Sequence, residues 1–168
     1  AAVTLLEAYP ADAVMQAVAA ENNLSETAFL VRQGSHYRIR WFSPTLEVPL
    51  CGHATLASAA VVMERLEPQR ESVVFHSASG PLPVRRTSSG YLLDFPARFS
   101  EPVAAPAELV AALGIAPIEV RVNSFNYMAL LPTEQTVHEL TPDLAAIARL
   151  DRGRVIVTAA GSGGYDFV

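Results

Sequence analysis

The alternation of apolar and polar residues divides the chain into strands and helices. Residues 37–42 alternate between polar and apolar side chains, which is typical of a half-buried strand. Residues 24–31 are rich in apolar and β-branched side chains and predict another strand. Apolar residues then recur at helical spacing over 52–65 and predict a helix. An extended segment therefore gives way to a helix within residues 49–55, and the rest of the chain is organised around this junction.

The same criteria predict the remaining elements. The predicted helices cover 10–22, 106–113 and 141–150, and the predicted strands cover 3–6, 72–76, 82–85, 91–95, 120–122, 127–131, 154–159 and 165–168. In the first helix, the expected inner face consists of Val14, Met15, Val18 and Ala19. Pro83 cannot donate a backbone hydrogen bond, so we expect it at a sheet edge or at the start of a strand. Because strands and helices mix without a regular βαβ order, the predicted fold class is α+β.

A segment rich in Ala and Pro, residues 96–106, marks the predicted domain boundary. We expect a first unit at 1–96, followed by a linker and a partial second unit at 97–168. The chain begins without Met, and its last residues have the pattern of a strand interior. A strand cut at that point leaves a ladder partner unpaired, so these features predict a fragment of a longer protein.

Composition and charge exclude several classes of protein. Of the 168 residues, 51% are apolar and 17% are charged, which suffices for a core and argues against disorder. The net charge is −5 and no stretch is basic, so we expect no binding to nucleic acid or to an anionic membrane. The apolar runs are too short to span a membrane. A single cysteine without metal-ligand spacing predicts no disulfide, no bound metal and a cytoplasmic location.

The junction between strand and helix is the first candidate site. The first N–H groups of a helix have no internal partner, and the helix dipole is positive there. Gly52 has no side chain to keep a ligand away from the N–H groups of residues 52, 53 and 54, so this turn could bind an anion. His53 adds a group that can carry a proton near neutral pH. The alternative is an ordinary helix start with an incidental histidine, because a single Gly-His-x-Thr is a short motif.

Two further residues could carry chemistry. Glu26 lies where a polar cluster meets an apolar strand, and a carboxylate held partly out of water suits a general acid or base. The alternative for Glu26 is the solvated face of an edge strand. Cys51 directly precedes Gly52, and a cysteine at a helix N-terminus can have a lowered pKa. Equally, Cys51 could be a small buried apolar residue.

Several segments of the chain resemble those of a known family. They are AAENNLSETAF at 19–29, YRIRWFSPTLEV at 37–48 and CGHATLA at 51–57, with shorter matches at 79–82, 93–96 and 155–168. In this order and over nearly the whole chain, they are similar to the PhzF-like family of phenazine biosynthesis proteins, relatives of diaminopimelate epimerase. The resemblance implies two similar α+β halves, each with a barrel-like mixed sheet around a central helix and with the active site between them.

The resemblance also implies a chemistry and roles for individual residues. The family works without a cofactor and moves a proton from one carbon to another, as in the isomerisation of dihydro-hydroxyanthranilate. Glu26 matches the family's acid/base glutamate, and Gly52 and His53 match its site residues at the helix start. Ala54 would add a third N–H group for the substrate carboxylate. The position of Cys51 carries a catalytic thiol in the epimerase relatives, so Cys51 is a possible further site residue.

The chain departs from the family pattern at both ends. Family members begin with a strand that ends in a Gly-Asn-Pro-Ala-Ala-Val-like stretch, and this chain starts at its Ala-Ala-Val. They continue beyond the Tyr-Asp-Phe-Val stretch to an acidic Asp-Pro-x-Thr-Gly loop, which supplies the opposing anion site and which nothing here matches. The second half is therefore expected to be incomplete.

Together, the residues and the resemblance predict a cofactor-independent isomerase or epimerase. Its substrate would be a small anionic metabolite with a carboxylate, and Glu26 would be its general acid/base. Exposed strand edges favour a homodimer. Two alternatives stay open: a non-catalytic small-anion-binding protein on the same scaffold, and an inactive truncated member of the family.

Overall fold

Seven strands and two helices make up the first of two units, Ala1–Pro96, in a computed structural model that describes residues 1–168. The strands are β1 (Ala2–Leu6), β2 (Thr27–Gln33), β3 (His36–Phe42), β4 (Glu47–Val48), β5 (Ser72–Ser77), β6 (Gly80–Thr87) and β7 (Gly90–Leu93). The helices are α1 (Asp12–Asn22) and α2 (Gly52–Val61), which continues as a π-helical turn, Val62–Leu66. The sheet order is β1-β2-β3-β5-β6-β7, with β4 beside β3. It is mixed, because β1 pairs with β2 and β3 pairs with β5 in parallel while the other pairs are antiparallel.

Helix α2 lies inside the curve of this sheet. It contacts β1 and β2 at one end of the strand order and β7 at the other end, so the sheet must bend around the helix. Small residues line the buried side of α2, which lets the strands approach closely; they include Ala54, Ser58 and Ala59. The Ser58 hydroxyl donates to the Ala54 carbonyl at 2.7 Å, so its polar group is satisfied inside the core. This arrangement is the barrel-like half that the family resemblance implies.

Helix α1 covers a second, smaller apolar cluster. Met15 and Ala19 are buried there against Phe29 and Phe42. The predicted four-residue inner face is wrong in two positions, because Val14 is 50% exposed and Val18 is 39% exposed. The buried stripe of this short helix is a single row, which repeats every four residues, and the neighbouring row of valines faces outward.

Pro83 does not lie at an edge or at the start of a strand, so that prediction is wrong. It sits inside β6, opposite Val74 of β5. Its carbonyl accepts a hydrogen bond from the Asp94 N–H at 3.2 Å, just beyond Val84 and Leu93, the last residue pair of the ladder between β6 and β7. The N–H that proline lacks would have bonded the Asp94 carbonyl; Asp94 is exposed beyond the end of the ladder, where water can replace that donor, so the strand tolerates proline.

The second unit, Ala97–Val168, is a smaller α+β arrangement. Its strands are β8 (Glu101–Val103), β9 (Glu119–Val122), β10 (Tyr127–Leu130) and β11 (Val155–Thr158), in the order β11-β10-β9-β8. Its helices are α3 (Ala107–Leu113), α4 (Glu134–Glu139) and α5 (Leu144–Ala148). Leu109, Leu113, Val120 and Ala129 form the centre of its core.

Several predictions for the second unit were wrong in extent. The helix expected at 141–150 is only α5, where the Asp143 carboxylate caps the helix by accepting from the Ala146 N–H at 2.9 Å. The strand expected at 165–168 is not formed, and only an isolated bridge joins Ala160 to Phe167. Helix α4 was not predicted, because its six residues include polar ones on every side.

The helices of both units are short. The longest α-helix is α1, with eleven residues, and α2 has ten before its π-helical turn. No helix has the length and apolar character that crossing a membrane would require.

Candidate active site

Two elements of the first unit bring the candidate residues together. Glu26 directly precedes β2, and His53 is the second residue of α2. Because α2 packs against β2, the two side chains meet although they are far apart in sequence. The Glu26 Oε2 atom lies 3.1 Å from His53 Nε2.

Backbone contacts hold Glu26 in place. The preceding helix α1 ends at Asn23, whose left-handed conformation (φ 47°) reverses the chain towards β2. The Glu26 carbonyl then accepts from the Ala2 N–H at 3.1 Å, which ties the residue to β1. Next to it, the Asn22 side chain donates to the Thr27 hydroxyl at 3.0 Å. The position of the carboxylate therefore follows from the loop between α1 and β2 and from the parallel pairing of β1 with β2.

The contact between Glu26 and His53 is close without being an aligned hydrogen bond. The distance of 3.1 Å is within hydrogen-bond range, but the ring N–H is poorly aligned with the carboxylate oxygen. By geometry, Glu26 Oε2 is therefore buried without a hydrogen-bond partner. The Glu26 side chain is 19% exposed and the His53 side chain 56% exposed. The carboxylate is thus shielded from water, while the imidazole can exchange protons with solvent. A buried polar atom without a partner is rare and often marks a functional site.

The N-terminus of α2 is open to a ligand. Cys51 is the residue before the helix, and its side chain makes no capping hydrogen bond. The first backbone donor with a partner is the Thr55 N–H, which bonds the Cys51 carbonyl at 3.3 Å. The N–H groups of Gly52 and His53 therefore have no partner within the helix, while that of Ala54 faces the Cys51 thiol, and the positive end of the helix dipole lies at the same place.

Phe95 is a residue of this region that the sequence analysis did not single out. A Cβ atom added to Gly52 would lie 2.9 Å from Cε2 of the Phe95 ring. Gly52 therefore gives room to this ring. Phe95 is itself 36% exposed, so one side of the ring still faces solvent. The available signal was the match of residues 93–96 to the family pattern.

Cys51 is a buried residue, which agrees with the alternative of a small buried apolar side chain and not with a lowered pKa. It is 7% exposed, and its Sγ atom lies 3.7 Å from His53 Nδ1. Burial raises the pKa of the Cys51 thiol, and the nearby Glu26 carboxylate adds to the rise, while the Ala54 N–H opposes it. The thiol is therefore not the activated nucleophile that its position before a helix suggested.

The three side chains form a group with metal-ligating potential. Glu26, Cys51 and His53 each offer one ligand atom, and these atoms all lie within 4.8 Å of one another. The spacing along the sequence did not indicate such a group, because Glu26 comes from another element. The tertiary structure alone brings the carboxylate beside the Cys-x-His pair.

Two cavities of the molecule lie away from this site. One of 630 Å³ in the second unit is lined by Tyr127 and Asp143, among others. Another of 470 Å³ in the first unit is lined by His36 and His76, among others. The site is assigned from its chemistry rather than from cavity size, because shielded acid/base groups beside a helix N-terminus can act on a substrate and concavity alone cannot.

Comparisons with known proteins agree with this picture. A family model described as phenazine biosynthesis-like protein, PhzC-PhzF, matches residues 1–167. A protein from Pseudomonas aeruginosa, named an uncharacterised isomerase, is 48% identical over 161 residues, which are 96% of this chain and 62% of the relative. The crystal structure of a PhzF family phenazine biosynthesis protein from Enterococcus faecalis superposes with a TM-score of 0.86 at 44% identity, over 98% of this chain and 63% of that one.

A more distant structure shows the fold alone. It is a protein from P. aeruginosa described as a predicted epimerase, 24% identical with a TM-score of 0.67, over 94% of this chain and 62% of that one. The chain thus spans less than two thirds of the length of these relatives. With a family match over 167 residues and a shared fold, the chain belongs to the phenazine biosynthesis-like, PhzC-PhzF family, and its fold is of the α+β class.

Proposed function

We propose that this protein is a cofactor-independent isomerase or epimerase that moves a proton on a small carboxylate substrate. The observation that carries the proposal is the approach of Glu26 to His53 within 3.1 Å at the N-terminus of α2. It places a shielded carboxylate, an exposed imidazole and three N–H donors on one surface. The relative named an isomerase supports the same class of reaction.

The helix start would bind the substrate carboxylate. The N–H groups of Gly52 and His53 have no partner within the helix, and the Ala54 N–H, which faces the Cys51 thiol, lies beside them. A carboxylate resting on them would place the adjacent carbon near Glu26. Removing a proton from that carbon creates an enolate-like anion, and the same N–H groups and helix dipole would stabilise the charge as it develops.

Glu26 would take and return the proton. As general base its carboxylate accepts the proton from one carbon, and as general acid it returns the proton to another carbon on the same face of the substrate, which is an isomerisation. Its shielding from water suits both roles. His53 would orient the carboxylate and relay protons to solvent, because it contacts Glu26 on one side and is 56% exposed. No electrons are gained or lost overall, so the reaction needs no redox cofactor.

A second candidate function is a non-catalytic small-anion-binding protein. It is favoured by the N–H groups at the start of α2, of which those of Gly52 and His53 have no partner within the helix; they would bind a carboxylate whether or not Glu26 acts on it. Both functions predict binding of a small anion, and only the first predicts exchange of a carbon-bound proton.

Solvent deuterium exchange separates the two functions. Dihydro-hydroxyanthranilate and a panel of small carboxylates with an acidic C–H, such as proline and glutamate, would be incubated with the protein in D₂O and followed by NMR. We expect deuterium to enter a carbon adjacent to the carboxylate, and Glu26→Gln to slow this by about 10²- to 10⁴-fold with binding retained. The matched control is Glu21→Gln, which changes an exposed glutamate of α1. Equal exchange by Glu26→Gln and the control would contradict the proposed role of Glu26.

A further inference from the structure

The Glu26, Cys51 and His53 side chains have the composition of a zinc site. Thiolate, imidazole and carboxylate are the ligands that Zn²⁺ uses in proteins. Here the Cys51 Sγ atom lies 3.7 Å from one ring nitrogen of His53, and Glu26 Oε2 lies 3.1 Å from the other. One ligand atom from each residue can be chosen so that all three lie within 4.8 Å of one another.

The two shorter distances approach those of a coordinated ion, and the bound of 4.8 Å lies above them, so the side chains must draw together around the ion. Zinc bonds of about 2.3 Å to sulfur and roughly 2.0–2.2 Å to nitrogen and oxygen place tetrahedral ligands about 3.3–3.6 Å apart. The separation of 3.7 Å between Cys51 and His53 already fits. Only one nitrogen of the His53 ring can bind a given ion. The imidazole must therefore rotate so that the same nitrogen lies near both Cys51 Sγ and Glu26 Oε2. Its 56% exposure leaves it free to do so.

The buried carboxylate oxygen points independently to a cation. Glu26 Oε2 is inaccessible to solvent and has no hydrogen-bond partner. A carboxylate oxygen in that position loses its hydration with only the His53 nitrogen at 3.1 Å to offset the loss, and a bound cation would reduce this cost further. The thiol beside it makes a soft divalent ion the better fit, since Mg²⁺ and Ca²⁺ prefer sites made of oxygen alone.

We infer that Glu26, Cys51 and His53 form a binding site for Zn²⁺, with three protein ligands and a fourth position open to water. Cys51 binds as the thiolate, and its proton passes to solvent when the ion enters. The binding follows from the geometry of the three residues and does not depend on the reaction proposed above. Its consequence does rest on that proposed function: a zinc ion held by Glu26 and His53 occupies the groups that move the proton, and it therefore inhibits the enzyme reversibly.

Cobalt and zinc titrations of the purified protein test the site. Co²⁺ bound to a thiolate gives a charge-transfer band in the near ultraviolet, and Zn²⁺ added afterwards should displace the cobalt and abolish the band. Cys51 is the only cysteine in the chain, so the band reports on this residue alone. We expect Cys51→Ser to lack the band, and both Cys51→Ser and His53→Ala to bind Zn²⁺ at least about 10-fold more weakly in competition with a chromophoric chelator.

The matched control is His138→Ala. His138 Nε2 lies 3.4 Å from Glu134 Oε1, so the chain has a second histidine–glutamate pair, which lacks a cysteine. This variant should bind both metals like the unaltered protein. Absence of the cobalt band in the unaltered protein, or equal zinc affinity in His53→Ala and His138→Ala, would overturn the inference. If Cys51→Ser does not fold, His53→Ala decides, because its side chain is exposed.

The two proposals can fail separately. A protein with the cobalt band but without any proton exchange would keep the zinc site and lose the isomerase function. A protein that exchanges carbon-bound protons but shows no band would lose the zinc site alone.

Discussion

The ring of Phe95 packs against Gly52 so closely that no side chain fits between them. A Cβ atom on residue 52 would lie 2.9 Å from Phe95 Cε2. Gly52 begins α2, and Phe95 follows the last strand of the same sheet. The contact therefore joins the N-terminus of the central helix to the end of the sheet that curves around it, directly beside the candidate site.

We expect Gly52→Ala to destabilise the first unit by about 1 kcal/mol, because the added methyl displaces the Phe95 ring. In a Phe95→Ala background, the same change should be neutral or slightly stabilising, since alanine favours the helix over glycine. The difference is a coupling energy of about 1 kcal/mol. Urea unfolding followed by the fluorescence of Trp41, the only tryptophan and buried in this unit, measures it. An equal effect of Gly52→Ala in both backgrounds would contradict the packing argument.

The substitution His53→Ala should slow proton exchange less than Glu26→Gln does. The imidazole orients the carboxylate and relays protons, whereas the backbone N–H of residue 53, which would bind the substrate, is kept in the variant. We therefore expect a lower kcat with little change in KM, measured by the same deuterium exchange at several substrate concentrations. A raised KM with an unchanged kcat would assign His53 to substrate binding instead.

Tyr37 and Glu67 make the stability of the first unit sensitive to high pH. Burial raises the pKa of Tyr37 to about 12, and the hydrogen bond that its hydroxyl donates to Glu67 at 2.5 Å adds to the rise. Because the folded pKa lies above the unfolded value of 10.0, the contribution is complete below pH 10 and is lost as the pH rises to about 12.

The variant Tyr37→Phe tests this pH dependence. We expect it to be less stable than the unaltered protein at pH 8 by about 1 kcal/mol, the value of a typical hydrogen bond. The difference in the free energy of unfolding should shrink as the pH rises from 10 to 12. Only the unaltered protein has the Tyr37 hydroxyl, and it loses the contribution of that hydroxyl when the proton is lost. Urea unfolding of both proteins across this range provides the measurement. A difference that stays constant with pH would show that the tyrosine proton does not contribute.

Glu134 holds the glycine-rich segment that follows β11. Its carboxylate accepts from the backbone N–H of Ser162 at 2.9 Å and also from the Ser162 and Tyr165 hydroxyls. The hydrogen bonds from Ser162 and Tyr165 lower the pKa of Glu134 to about 2. The folded pKa lies below the ordinary value of 4.5, so the contact is fully stabilising above pH 4.5 and is lost as the pH falls through about 2.

We therefore expect the NMR signal of the Ser162 amide to titrate well below pH 4.5. At neutral pH, Glu134→Gln should speed hydrogen exchange of this amide, because a neutral side chain accepts more weakly. Glu139→Gln is the matched control on the same helix, since Glu139 is bonded only by the exposed Gln135 side chain. Equal exchange rates in the two variants would contradict the role of Glu134.

Local sequence patterns were sufficient to predict those elements whose structure is decided by residues adjacent in sequence. The alternating residues of 36–42 do form β3, and α2 begins at Gly52 as predicted. The end of α3 was also predictable, because Gly114 adopts the left-handed conformation (φ 72°) that ends helices. The family motifs are also short stretches of sequence, and they were enough to identify the fold and the family.

The sequence by itself therefore determined the strand-to-helix junction, the α+β class and the identity of Glu26 and His53 as candidates. Only the tertiary structure decided that these two side chains meet at 3.1 Å, that Phe95 covers Gly52, and that burial raises rather than lowers the pKa of the Cys51 thiol. The physical reason is the range of the forces involved. Helix starts and strand alternation are set by neighbouring residues, whereas burial, desolvation and contacts between elements depend on how distant parts of the chain pack.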